Sequence, residues 1–146
     1  MKYKDIFNKA SYAAIQSNKN GVNKNQINQL LSILNTNMGL KVEYIIMMLI
    51  AFVMRQNSRR LIKNESAEAI KTTLEKILNE KLTQIKNDDD LQKIKKKNLR
   101  EYLGLLKWFF EVANSKQIRV NWNVTQDNAF DSITRDFSKS VSRRGR

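Results

Sequence analysis

The residues of this chain best equipped for chemistry are its cations. Arg55, Arg59, Arg60 and Lys63 crowd into one short stretch, and Arg55, Arg59 and Lys63 recur at i, i+4 and i+8. That spacing would align three cations on one helix face. A second cluster holds Lys93, Lys95, Lys96, Lys97 and Arg100. Arginine presents a planar fork of donors and lysine a mobile point charge, and both suit phosphate oxygens. Lys and Arg total 27 against 14 Asp and Glu, a formal charge of +13. Such an excess points to a polyanionic partner, nucleic acid first.

Other chemistries lack their residues. There is no His and no Cys, which removes imidazole bases, thiolate nucleophiles and the usual zinc ligands. The four glycines, Gly21, Gly39, Gly104 and Gly145, are too scattered for a phosphate-cradling loop. Asp88, Asp89 and Asp90 are adjacent, read as acids at a helix start, and lack the spacing of a calcium loop. Glu43, Glu101 and Glu111 lie near apolar stripes without forming a paired-carboxylate pattern. The expectation is a protein with no catalytic residues, no metal and no cofactor. Among aromatics, Tyr3, Tyr12, Trp108 and Trp122 are candidates to stack on bases, Trp122 foremost. Tyr102, Phe109 and Phe110 read as core.

The elements that must position these residues are helical. The chain contains no Pro, so nothing in it interrupts helices. Residues 3–17 place Ile6, Phe7, Ala10, Ala13 and Ala14 at helical spacing, closed by Asn20–Gly21. Asn23 offers an N-cap with Gln26 completing a capping-box-like pair, and Ile27, Leu30, Leu31 and Leu34 follow. Asn37–Met38–Gly39 predicts a left-handed stop. A third helix, from about Leu40 past Met54, contains the run YIIMMLIAFVM and is expected to be buried on nearly all sides. That run falls short of the ~20 residues a membrane span needs. Asn64 or Ser66 is expected to cap a fourth helix carrying Ile70, Leu74, Ile77, Leu78 and Ile85. The fifth and longest carries Leu91, Ile94, Leu99, Tyr102, Leu103, Leu106, Phe109, Phe110 and Ala113. Thr125 would cap a short helix with Ala129, Phe130, Ile133 and Phe137. The expected architecture is an all-α, single-domain bundle of about five helices over residues 1–116, with a partly flexible basic C-terminal arm over 117–146. The N-terminal stretch has charges spaced through it and no apolar core, so a cytoplasmic location is expected.

Three stretches resemble one family. Residues 20–35 (NGVNKNQINQLLSILN), 42–55 (VEYIIMMLIAFVMR) and 99–110 (LREYLGLLKWFF) resemble, in order and spacing, motifs of the small helical subunit of type III-A CRISPR effector (Csm) complexes. The related small subunits of Cmr and type I complexes are similar basic bundles. Asn28 stands where the family motif has Arg, Met54 where it has Gly and Gly104 where it has Glu, whereas Arg55 matches the motif Arg. The resemblance implies a non-catalytic subunit that stacks in several copies as a filament, beside other subunits, and holds target RNA along its guide. It assigns a nucleic-acid role to Arg55 alone. Arg59, Arg60, Lys63, Lys93, Lys96, Lys97 and Arg100 are candidates from charge. Two other readings stay open: a homo-oligomeric viral or filament protein wrapping nucleic acid, and a stand-alone DNA-binding regulator. A helix-turn-helix around Asn35–Leu40 is discounted, because the helix that follows is too apolar for a major groove.

Overall fold

A computed structural model describes residues 1–115 and 124–134, and every regular element among them is helical. The helices are α1 (Tyr3–Lys19), α2 (Lys24–Thr36), α3 (Val42–Ser58), α4 (Asn64–Asn79) and α5 (Asp88–Ala113), with a helical turn at 129–134. Trp122, Phe137 and the basic end of the chain lie outside the described residues.

α5 is the spine. It packs most extensively on α1 and also touches α2, α3 and α4. The core is aliphatic, with Ile27, Leu30, Leu34, Ile45, Ile46, Leu49, Ile70, Leu74, Leu99 and Leu106 fully buried. The small residues Ala10, Ala13 and Ala14 of α1 are fully buried in the same core. A second apolar cluster joins Ile15 and Ala113 to Val124, Ala129 and Ile133. Lys9 Nζ donates to Gln126 Oε1 at 3.2 Å and the Phe130 N–H to Asn8 Oδ1 at 3.1 Å. Residues 124–134 therefore pack back onto the bundle.

Helix ends explain several departures from the sequence reading. α1 closes as expected, with Gly21 at φ 71. Asn23 caps α2, accepting from the Asn25 N–H at 2.8 Å. Gln26 does not complete a capping box: its Oε1 accepts from Gln56 Nε2 at 2.7 Å inside the bundle. Gly39 does not adopt a positive φ. Instead Leu40 N–H closes the turn onto Asn37 O at 2.9 Å. Neither Asn64 nor Ser66 caps α4, whose N-cap is Lys63. Asn64 Oδ1 accepts from Asn57 Nδ2, and Ser66 Oγ from Asn20 Nδ2. Ile85 lies beyond α4, which ends at Asn79.

The largest departure is α3. Its inner face is buried through Ile45, Ile46, Leu49 and Val53, but Tyr44, Met47 and Met54 are 54–61% exposed. The helix lies against α2, α4 and α5 and makes no contact with α1. One apolar face is thus left in solvent. No helix among the described residues is long and apolar enough to cross a membrane.

Candidate nucleic-acid interface

The cations singled out from the sequence fall on two surfaces, and further exposed lysines such as Lys4, Lys19, Lys41, Lys76 and Lys86 lie outside both. The first is the α3–α4 turn. α3 ends at Ser58, Arg59 is its C-cap and Lys63 is the N-cap of α4. Arg55, Arg59 and Lys63 therefore do not share one helix face, because the backbone reverses between them. Arg60 causes the reversal with φ 63. Its N–H bonds Asn57 O at 3.0 Å and the Leu61 N–H bonds Gln56 O at 2.9 Å. These two bonds form a Schellman closure, whose left-handed position normally favours Gly. All four cations are exposed and none forms an ion pair among the described residues. Arg60 and Lys63 line a shallow depression of about 470 Å³ together with Asn20, Asn57, Asn64 and Glu65.

The second surface is the outer face of α5. Lys93, Lys97 and Arg100 stand at i, i+4 and i+7 and are exposed. Lys107, at i+14, continues the line. Lys107 was not singled out from sequence, although the 4-3 spacing 93, 97, 100, 104, 107 would have found it. Gly104 sits within this ridge, and nothing lies within 4 Å of where its Cβ would be. Trp108 flanks the ridge at 66% exposure, whereas Tyr102 is fully buried and Phe110 nearly so. From Lys93 to Trp108 the ridge runs about 22 Å at 1.5 Å per residue. Beside it, Asn28, Ser32, Asn35 and Lys107 line a groove of about 510 Å³ between α2 and α5. The end of the ridge is neutralised, since Lys24 Nζ pairs with Glu111 Oε1 at 3.2 Å.

Two lysines of the second cluster do not face solvent. Lys96 Nζ donates to Met38 O at 2.9 Å, and Lys95, buried, donates to Leu78 O at 2.6 Å. Lys95 satisfies a carbonyl in the last turn of α4, where carbonyls lack intrahelical donors, and Lys96 one in the turn between α2 and α3. Lys96, expected to touch nucleic acid, holds the α2–α3 turn instead. Nearby, Gln92 caps α3 from fifty positions away: its Oε1 accepts from the Val42 N–H at 2.8 Å and its Nε2 donates to both Glu43 oxygens at 3.0 and 3.1 Å. Partial burial alone would raise the Glu43 pKa. Its own N–H, Gln92, Lys95 and Lys41 outweigh that and hold the carboxyl below its usual value.

The α5 ridge begins beside the start of α3 and runs toward the end of the bundle that carries the α3–α4 turn. Gln92 and Lys96 fix the start of α5 beside Val42 and Met38, whereas Arg55–Lys63 follow the other terminus of α3, about 20 Å along its axis. Among the described residues there is no group of acids, His or Cys arranged to hold a metal ion. No known protein family, no curated protein and no solved structure matches this chain.

Proposed function

We propose that this chain is a non-catalytic RNA-binding architectural subunit of a cytoplasmic ribonucleoprotein complex, of the kind CRISPR effectors use to hold target RNA along a guide. The observation that carries the reading is the set of exposed cations on α5 and at the α3–α4 turn. They lack acidic partners among the described residues, in a chain of charge +13. Unpaired like charges on a helix face cost a few tenths of a kcal/mol each, and phosphates would relieve that cost. Lys93, Lys97, Arg100 and Lys107 would neutralise successive phosphates by displacing counterions, which is independent of sequence. Trp108 offers a stacking face usable by any base. A subunit that must accept every target would need this combination, with sequence read by guide pairing.

The test is binding of two unrelated single-stranded RNAs across a salt series. Each phosphate contact on a single strand contributes about −0.7 to the slope of log affinity against log salt. Replacing Arg55, Arg59 and Arg60 together by Ala should flatten that slope by about two units, equally for both RNAs. Replacing Lys93, Lys97 and Arg100 together should do the same. If both triple variants fold and keep affinity and slope, the reading fails.

A further inference from the structure

We propose that the solvent-facing side of α3 is a self-association surface, on which a second copy of this chain docks its own α3 antiparallel about a two-fold axis. This deepens the assembly half of the reading above by naming the surface where copies meet. Its test omits RNA, so its failure leaves the RNA-binding half standing, and failure of RNA binding leaves it standing.

The argument begins with spacing. Tyr44, Met47, Ala51 and Met54 fall at i, i+3, i+7 and i+10, the two-position seam along which helices pair. Tyr44 is 60%, Met47 61% and Met54 54% exposed. Leu40 and Leu61, just beyond the two ends of the helix, are each 44% exposed. If each of these five large side chains leaves roughly 100 Å² to water, the apolar area is about 500 Å², near the largest patch a monomer commonly shows. A standard interface covers ~800 Å² per partner, of which ~56–65% is apolar. The exposed apolar area is therefore what one side of a stable two-fold interface requires.

Charge selects the occupant's docking site. A chain of +13 repels its own copies wherever cations face each other. Between Glu43 and Arg55 there is no charged residue, and the exposed side chains Tyr44, Met47 and Met54 all lie within that stretch. Two copies can approach there without juxtaposing like charges.

Shape selects the orientation. Centred on Leu49, an antiparallel pair sets Met47 against the partner's Ala51 and Tyr44 against the partner's Met54. The small Ala51 then receives a long thioether, the large-against-small arrangement that lets facing helices interdigitate. Arg55 comes level with the partner's Glu43, an opposite charge, and lies one position from the partner's Tyr44 ring. The two copies of Arg55 sit at opposite ends of the pair, whereas a parallel pair would place them side by side. Helix dipoles also oppose favourably in the antiparallel arrangement. A two-fold contact closes at two copies, so an array along RNA would be assembled from dimers.

The experiment uses the full chain without RNA. Sedimentation equilibrium should give a dimer for the native sequence and half that mass for Met47→Glu, with an unchanged far-ultraviolet circular dichroism spectrum. Because the chain has no Cys, cross-linking gives an independent readout of register. An equimolar mixture of Met47→Cys and Ala51→Cys proteins should form the mixed disulfide on mild oxidation, faster than either protein links to itself. A native chain that stays monomeric at high micromolar concentration overturns the proposal and leaves the stripe to a different protein's helix. A dimer that survives Met47→Glu, or preferential Met47→Cys self-linking, overturns it as well.

Discussion

Gly21 and Arg60 occupy the same position in two copies of one backbone motif. Gly21 closes α1 at φ 71, with the Val22 N–H on Ser17 O at 2.8 Å; Arg60 closes α3 at φ 63, with the Leu61 N–H on Gln56 O at 2.9 Å. The two closures lie at one end of the bundle, where Asn20 and Arg60 line the same depression. A side chain in the left-handed region costs ~1–2 kcal/mol, a cost that Gly avoids.

Arg60→Gly should therefore stabilise the fold by about 1 kcal/mol, raising the thermal midpoint by roughly 3 °C. It should at the same time weaken RNA binding and flatten the salt slope by about 0.7. Opposite movements of stability and affinity would show that a cation is kept at a glycine position for its charge. If affinity is untouched, Arg60 contacts no phosphate.

Trp108→Ala should separate stacking from charge. The ring is 66% exposed, so the fold should hold. RNA affinity should fall by about 1–3 kcal/mol, the contribution of one stacked base, with the salt slope unchanged. A loss of slope without loss of affinity at low salt would contradict stacking.

The buried Gln26–Gln56 pair fastens α2 to α3. Gln56→Leu leaves Gln26 Oε1 without its donor and should cost about 1–3 kcal/mol in chemical denaturation. Replacing both by Leu should cost less than the sum of the single changes, because neither amide is then left unpaired. Strict additivity would mean that the two side chains act separately.

Tyr102 lies wholly inside the core, and its hydroxyl has no hydrogen-bond partner among the described residues. Burial pushes its phenol well above the usual range, opposed by the neighbouring Thr73 hydroxyl, which itself donates to Ala69 O at 3.2 Å. Tyr102→Phe should leave stability unchanged or raise it by up to ~1 kcal/mol. A clear loss of stability would reveal a partner for that hydroxyl.

Glu43 predicts an acid-side effect. Its folded pKa lies below the usual 4.5, so the ionised carboxylate favours the folded state. That contribution is complete above the unfolded value and is lost as pH falls through the folded value. Glu43→Gln should flatten this part of the acid limb of a stability–pH profile and leave neutral pH less affected by titration. An unchanged acid limb would show that Gln92, Lys95 and Lys41 do not favour its charged form.

The sequence by itself determined the class of fold and most helix limits. Absent Pro, the caps Asn20–Gly21 and Asn23, and the 3.6-residue spacing of apolar residues are local properties, and local geometry depends on neighbours in the chain. The net charge, and so the class of partner proposed, is likewise legible in composition. Only the tertiary structure decided which charges are free. Lys95 and Lys96 resemble Lys93 and Lys97 in sequence, yet two carbonyls from α4 and the α2–α3 turn take their amines. The apolar run of α3 looked suited to burial all round, but the neighbouring helices α2, α4 and α5 cover only its inner side. Burial and pairing depend on what other segments bring alongside a residue, and hydrophobicity alone does not say how many neighbours a helix will have.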